Sequence, residues 1–403
     1  MAWPAAVDAT RTHSVASPGE PAPATPLRVA LAIRECGMQF RGAERQAYLL
    51  AGLLADRLGA CEVVTSQPDA YPQRSGVYVR RIGTPHQRTW SQAINFGAAF
   101  SYFARNGHRY SIVHGHCLSA FVLGALLGAK LRGCRTVVKL CAIGRDGDIS
   151  KILARRFGIV MWRLFAGTDL FIAPTPEIAP ELRRAGVPDR KIVVVPNFVT
   201  PCDCAALEPS ARAVARAVLG LPEQPTVLFA ARWVAQKRVE FLLQAWDLLA
   251  PRNATLVLVG DGPEEQRILQ WMRQSPAAAS VRVVAWQTDM RPFYRAADIF
   301  AFPARDEAFG NVIAEAMAYG LAVITTRAGL AQNWIRDGES GIIVSDDEPA
   351  PMAAALESVI TDAARRRRLG AAAREVVAKH FAPDVVLETL LNAYAAPRTN
   401  ELE

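Results

Sequence analysis

Two glutamates, Glu307 and Glu315, stand eight positions apart in the stretch Glu307–Gly320, Glu-Ala-Phe-Gly-Asn-Val-Ile-Ala-Glu-Ala-Met-Ala-Tyr-Gly. Apolar runs at 298–303 and 321–326 flank it and read as buried strands. The residues between favour a helix that Gly310 and Asn311 open and Gly320 stops. The first free N–H groups of such a helix point out of the strand end, where open α/β sheets bind ligands. Side chains on a helix lean toward its N-terminus, so both carboxylates can face one pocket. That pocket would offer backbone donors for phosphate and carboxylates for hydroxyl groups. Glutamates at this spacing are also common on solvated helices, and the pair alone does not decide between the two.

Arg232 and Lys237 supply the opposite charge. The run 226–231 reads as a strand, and Arg232-Trp233-Val234-Ala235-Gln236-Lys237-Arg238 leads from it to a helix near Val239. Arg grips two phosphate oxygens in a planar fork, while Lys acts as a point charge. A leaving diphosphate needs such counter-charges as its bond breaks. Two surface cations in a loop are the commoner case, so this reading leans on its context. Trp286 lies at another strand end, placed to flank a base ring. Val259-Gly260-Asp261-Gly262-Pro263 reads as a structural turn. Asp289 reads as an N-cap.

The elements that must position these groups alternate. Strand-like runs at 28–33, 61–65, 77–82, 111–113, 136–140, 169–173 and 191–195 are separated by helical segments, among them 91–106, 117–131, 149–165 and 176–185. After the Pro-punctuated stretch 196–201 a second series runs through 226–231, 255–260, 281–285, 298–303, 321–326 and 341–344. This order implies an α/β fold of two Rossmann-like, parallel-sheet domains with a cleft between them. The expected organisation is a disordered tail at 1–26, a first domain at 27–200, a linker at 201–219 and a second domain at 220–375. Helices at 376–403 would pack back toward the first domain.

Composition narrows the class. With 51% hydrophobic residues the 403-residue chain can bury sizeable cores, and its formal charge of +8 suits anionic ligands or an anionic membrane surface. No nucleic-acid motif accompanies that charge, so nucleic acid is not an expected partner. The cysteines are scattered without paired C-x-x-C clusters, which argues against a zinc site or disulfide framework and for a reducing compartment. The longest apolar helix-like run, 118–129, is too short to span a bilayer. The protein is therefore expected in the cytoplasm, at most attached peripherally to the inner face of the plasma membrane. The helix at 151–165, with Lys151, Arg155, Arg156 and Arg163 among large apolar residues, fits a membrane contact. Its charges do not segregate cleanly, and a buried helix with a wet edge is the plainer reading.

Arg232…Lys237, Val259–Pro263, Tyr294-Arg295-Ala296-Ala297-Asp298, Glu307-Ala308-Phe309-Gly310 and Glu315-Ala316-Met317-Ala318 together resemble the donor domain of the retaining glycosyltransferases of family four, which have the two-domain GT-B fold. The similarity runs over roughly 27–394 and is strongest from 226 to 344. The resemblance implies that Arg232 and Lys237 hold a nucleotide diphosphate, that Glu307 contacts hydroxyl groups of the donor sugar and that Glu315 binds the ribose. Backbone N–H groups of Phe309, Gly310, Asn311 and Val312 would meet sugar and phosphate. A nucleotide-diphosphate sugar is the implied co-substrate, with an acceptor glycan or lipid-linked glycan as partner and no essential metal or other cofactor. Retention would proceed on one face of the sugar, the leaving phosphate helping to deprotonate the acceptor and Glu307 orienting the sugar. The first domain would be the acceptor side and the second the donor side.

The first domain resembles the family too. Gly42-Ala43-Glu44 fits its glycine-rich loop, with Arg41 where a second glycine is usual. Ile112-Val113-His114-Gly115-His116 resembles the strand end that lines the acceptor side, which favours His116 as an acceptor-side or orienting group. His114 and His116 also suggest metal, but no third ligand appears. The chain departs from the family at 138–144, which has no His-Gly pair, and at Gln332-Asn333, where a Glu is usual. Asp146-Gly147-Asp148 looks like an acidic metal pair, although its place before a helix favours Asp148 as an N-cap. The expected activity is glycosyl transfer in making a cell-surface polysaccharide or glycolipid. A sugar-nucleotide epimerase of the same fold and a non-catalytic sugar-nucleotide-binding protein are the alternatives.

Overall fold

The computed structural model describes residues 27–36, 42–68, 73–84, 91–145, 147–200, 202, 208–249, 253–345 and 347–397. The expected tail at 1–26, Arg41, Asp146 and most of 201–207 lie outside the described residues.

Short apolar runs buried on both faces build two parallel sheets. The first contains β1 (Val29–Cys36), β2 (Cys61–Pro68), β3 (Val77–Arg81), β4 (Ile112–His116), β5 (Arg135–Lys139), β6 (Leu170–Ala173) and β7 (Ile192–Val194), in the order β3-β2-β1-β4-β5-β6-β7. The connecting helices are α1 (Gly42–Leu58), α2 (Ser91–Asn106), α3 (Ala120–Lys130), α4 (Asp148–Leu153), α5 (Gly158–Ala166) and α6 (Ile178–Arg184). The second sheet contains β8 (Thr226–Arg232), β9 (Thr255–Asp261), β10 (Val281–Ala285), β11 (Ile299–Phe302), β12 (Ala322–Thr326) and β13 (Ile342–Val344), in the order β10-β9-β8-β11-β12-β13. Its helices are α7 (Pro209–Val218), α8 (Val239–Leu248), α9 (Glu265–Gln274), α10 (Arg291–Ala296), α11 (Asn311–Ala318), α12 (Pro349–Thr361) and α13 (Ala363–His380). A last helix, α14 (Pro383–Ala395), ends the described chain.

Each sheet reverses its strand order once, between β1 and β4 and between β8 and β11. At such a point the connections leave toward opposite faces and open a crevice at the carboxyl ends of the strands. His116 ends β4 and the Glu307 loop follows β11, so the two crevices carry the singled-out residues.

The chain then crosses back. Val386, Leu387 and Leu390 of α14 share a core with Leu50 and Leu54 of α1 and Leu31 of β1. Tyr394 Oη lies 2.6 Å from His114 Nδ1. At the joint between α13 and α14, the Phe381 ring packs edge-on against Phe309 and Trp334, centroids 5.2 Å away in both cases. Its carbonyl oxygen accepts from Val199 N–H at 2.9 Å.

Three expectations change. The interval 201–219 is not all linker, because it contains α7. α13 runs unbroken across position 375. The helix expected at 149–165 is two helices, α4 and α5, broken between Leu153 and Gly158. No helix among the described residues is long and apolar enough to cross a membrane.

A buried ion pair fixes α7 to the second domain. Arg216 pairs with Asp298 through Nη2 and Oδ2, and both side chains are 10% exposed. Asp298 Oδ2 also accepts from Thr226 N–H at 2.8 Å, and Oδ1 lies 3.1 Å from Arg212. Removing one partner of a buried pair strands the other charge. Arg216→Leu should lower stability by ~3 kcal/mol, and Arg212→Leu, on the wetter bond, by ~1 kcal/mol or less. Urea unfolding midpoints check this, and equal losses in the two variants would contradict it.

Candidate active site

α11 begins at the mouth of the second crevice. Gly310 precedes it with φ +90°, and a Cβ there would lie 2.9 Å from Ile313 Cδ1. Glycine is therefore required to turn the chain from the Glu307 loop into the helix. Within the first turn, Ile313 and Ala314 bond back to the Gly310 carbonyl oxygen at 2.9 and 3.2 Å. The N–H groups ahead of them have no carbonyl to meet inside the helix, and the helix dipole makes that end an anion site. The Phe309 side chain turns inward onto Phe381, so only its backbone serves the cleft.

Each carboxylate already has a cation. Glu307 pairs with Lys237, which reaches it from the short turn after β8, and both side chains are less than one-fifth exposed. The Lys237 ammonium also lies 5.6 Å from the centre of the Phe302 ring. Arg305 N–H bonds to Gln236 O at 3.1 Å and holds the two loops together. Arg232 is exposed at the last position of β8. Glu315, one turn into α11, accepts from Tyr294 Oη at 2.8 Å and faces Arg45 of α1 at 3.5 Å. Burial raises the Glu315 carboxyl, while Arg45 and the Tyr294 hydroxyl pull the other way.

The first domain closes over this end of α11. A Cβ on Gly42 would lie 2.8 Å from Asn311 Nδ2. Asn197 Nδ2 donates to Asn311 Oδ1 at 2.7 Å, and Thr175 Oγ1 to Ala308 O at 3.0 Å. His116, Lys139, Gln46 and Asn197 line one narrow cleft with Glu307 and Asn311. A roomier recess of about 470 Å³ lies beside the same loop, lined by Arg305, Asp306, Arg327 and Ser345. The carboxylate, imidazole and ammonium groups converge on the narrow cleft, which is the candidate site.

His116 and His114 stack, centroids 4.5 Å apart, with His114 held by Tyr394. Burial, with Lys139 nearby, pushes the His116 imidazolium down to about 3. His116 is thus a neutral hydrogen-bonding group at physiological pH, able to orient a hydroxyl and unable to carry charge. Its Nε2 is buried without a hydrogen-bond partner.

Sequence reasoning missed Lys139 and Arg45, and quoted Tyr294 within a motif without giving it a place in the site. Lys139 ends β5 as the register partner of His116 and is 8% exposed. Burial pushes its ammonium down to about 8. Its position at a strand end in the first sheet was the available signal. Arg45 and Tyr294 reach Glu315 from distant elements. Asp148 is not a helix N-cap: Gly147 takes that place. Its carboxylate, raised by burial to about 6, instead accepts from Cys141 and Ala142 N–H at 2.6 and 3.2 Å and shapes the loop after β5. Trp286 stands apart, 39% exposed at the end of β10, the edge strand. Asn333, where a Glu is usual in the resembling family, donates to Glu177 Oε1 at 2.6 Å across the domain contact. A carboxylate at 333 would there repel another.

Comparison with known proteins follows the same division. A family model described as Glycosyltransferase Family 4 matches residues 40–201, and one described as Glycosyl transferases group 1 matches residues 224–362. The lipopolysaccharide core biosynthesis glycosyltransferase LpsE of Rhizobium meliloti is 31% identical over 233 residues, 58% of this chain and 66% of that one. A D-inositol 3-phosphate glycosyltransferase of Rhodococcus jostii is 31% identical over 313 residues, 72% of this chain and 67% of that one. The chain thus spans about two thirds of the length of these relatives. Among solved structures, Anabaena Alr3699/HepE in complex with UDP-glucose superposes with a TM-score of 0.74 at 18% identity, covering 91% of this chain and 100% of that one. WaaG, a glycosyltransferase involved in lipopolysaccharide biosynthesis, superposes with a TM-score of 0.70 at 17% identity, covering 91% and 98%. At such identities these structures speak for the fold.

The lysine in the cleft makes a stability prediction. Lys139 is depressed from the ordinary 10.5 to about 8. The folded state therefore carries the penalty in full below about pH 8 and loses it as pH rises through 10.5. Lys139→Met should be more stable than the parent by up to ~3 kcal/mol at pH 7, with the difference shrinking toward pH 10.5. Thermal unfolding of both chains across that range checks it. A variant no more stable than the parent at neutral pH would mean that the ammonium is not penalised in the cleft.

Proposed function

The chain belongs to the group 1, family 4 glycosyltransferases of GT-B fold, and from that premise we propose that it transfers a sugar from a nucleotide-diphosphate sugar to an acceptor hydroxyl with retention of configuration. The observation that carries this reading is the Lys237–Glu307 pair set beside the N-terminus of α11, with the first domain closed over it. Cations, free N–H groups and a carboxylate are what a diphosphate and a sugar ring together require.

Each part then has a task. The α11 N-terminus, Arg232 and Lys237 take the diphosphate and stabilise the charge that grows on it as the glycosidic bond breaks. These cations and backbone donors fit a reaction without an essential metal. When phosphate draws Lys237 away, Glu307 is released to accept hydrogen bonds from the sugar hydroxyl groups. Glu315 takes the ribose, with Tyr294 fixing the carboxylate. The leaving phosphate oxygen accepts the acceptor proton on the face from which it departs, so configuration is retained and no side chain must attack. Neutral His116 orients the acceptor hydroxyl from the opposite wall.

UDP and UDP-glucose in the Alr3699/HepE complexes support a nucleotide sugar as donor. LpsE, named for lipopolysaccharide core biosynthesis, supports a cell-surface polysaccharide or glycolipid as the product. We place the protein in the cytoplasm, meeting a lipid-linked acceptor at the inner face of the plasma membrane.

A panel of nucleotide sugars in thermal shift finds the donor, since a ligand at 100 times its Kd adds about 2.7 kcal/mol. With donor and acceptor in hand, Lys237→Ala and Arg232→Ala should each lower kcat/KM for transfer about a hundredfold. NMR of the product should show the donor's anomeric configuration. An inverted product, or transfer undiminished in Lys237→Ala, would contradict the reading. A new sugar nucleotide formed from donor alone would favour an epimerase.

A further inference from the structure

One cation in the cleft has no task in the chemistry above. Lys139 ends β5, and it lines the narrow cleft from the first domain together with His116. Parallel register sets it between His116 on β4 and Ile172 on β6, so the three side chains share one face of the sheet. Gln46 of α1 covers that face, and Glu307 and Asn311 line the same cleft from the second domain.

The carboxylates of the site are matched, Glu307 by Lys237 and Glu315 by Arg45. Lys139 is not. Among the described residues its ammonium has neither a carboxylate partner nor a hydrogen-bond acceptor, and only the Cys141 and Cys117 thiols favour its charge. His116 Nε2 beside it is buried without a partner too. Lysine is almost never buried unless paired, because an ammonium taken out of water is costly. One that is nine-tenths buried and opens on a cleft points to an anion that arrives with the ligand.

The diphosphate is the poorer match for it. On the reading above that charge falls to Lys237, Arg232 and the α11 N-terminus, all of the second domain, and Lys139 stands on the facing wall. A neutral sugar would displace the water that solvates the ammonium and bring no charge in return. A phosphate monoester brings nearly two charges against one lysine. A carboxylate brings one. Its two oxygens can meet the Lys139 ammonium and the Nε2–H of neutral His116 together.

We propose that a sugar bound in the narrow cleft is anionic, a hexuronic acid or another sugar carboxylate, and that Lys139 selects it. Lys139 is then a specificity residue contributed by the first domain. The inference rests on the glycosyl transfer proposed above and names the charge class of one of its two sugars. A nucleotide-linked donor and a glycan acceptor can each carry such a carboxylate, and the two arms of the test tell them apart.

Calorimetry on the full chain compares two sets of probes. The donor arm sets UDP-glucuronate and UDP-galacturonate against UDP-glucose, UDP-galactose and UDP. The acceptor arm sets methyl glucuronide and methyl galacturonide against methyl glucoside and methyl galactoside, with UDP present. In one arm a uronate should bind about tenfold or more tightly than its neutral counterpart. Lys139→Met should abolish that preference, Lys139→Arg should keep part of it, and both should bind UDP as the parent does. Lys139→Met should also keep or exceed the parent's thermal midpoint, so that a lost preference is not a lost fold. Equal affinity for uronate and neutral sugar in both arms overturns the proposal, as does a preference that survives Lys139→Met. Weaker UDP binding in Lys139→Met overturns it too, because the lysine would then belong to the diphosphate. Nucleotide binding without a uronate preference strikes this inference alone, whereas a chain that binds none of the nucleotides strikes the donor site and this inference with it.

Discussion

The left-handed turn at Gly310 is the constraint on which the cleft depends. It redirects the chain from β11 into α11 so that the helix N-terminus faces the first domain. Phe309, one residue earlier, is then driven into the core against Phe381 and Trp334, and Phe381 begins the crossing that returns α14 to the first domain. Gly329 lies beneath the turn; a Cβ on it would come 2.5 Å from Phe309 O and 3.0 Å from Glu307 Cγ. The same backbone feature thus aims the free N–H groups, places Glu307 in reach of Lys237 and links the site to the docking of the two domains.

The charge pattern of the cleft follows from that geometry. Glu307 and Glu315 are each matched by a cation, Lys237 from the second domain and Arg45 from the first. Lys139 and the positive end of α11 add further positive potential, while His116 stays neutral. The narrow cleft is consequently biased toward an anion. On the function proposed above, a diphosphate bound there would exchange cation–carboxylate pairs for cation–phosphate ones, and the released carboxylates would become acceptors for hydroxyl groups. Such an exchange would let two glutamates serve binding without acting as acid and base.

The sheet architecture was legible because parallel strands buried on both faces are continuous apolar runs, such as 226–231 and 321–326. The turn at Gly310 and the strand-end cations were legible for a similar reason: local sequence decides them. Partners separated by long stretches of chain were not. Arg45 meets Glu315, Tyr394 meets His114 and Asn333 meets Glu177 only because two domains close, and no periodicity records that. Asp148 looked like a cap because capping residues precede helices, but burial brought it to the Cys141 and Ala142 amides instead. The single helix expected at 149–165 failed at Gly158, where the close approach of α5 to Leu153 mattered more than helical composition.

The claim that Lys237 is shared between Glu307 and an incoming diphosphate is open to a direct test. Calorimetry should compare binding of the tightest nucleoside diphosphate to the parent, Lys237→Ala and Glu307→Ala. Sharing predicts opposite signs: Lys237→Ala binds the diphosphate about tenfold or more weakly, while Glu307→Ala binds it as tightly as the parent or tighter, because the competing carboxylate is gone. Equal weakening in both variants, or no change in Lys237→Ala, would contradict it.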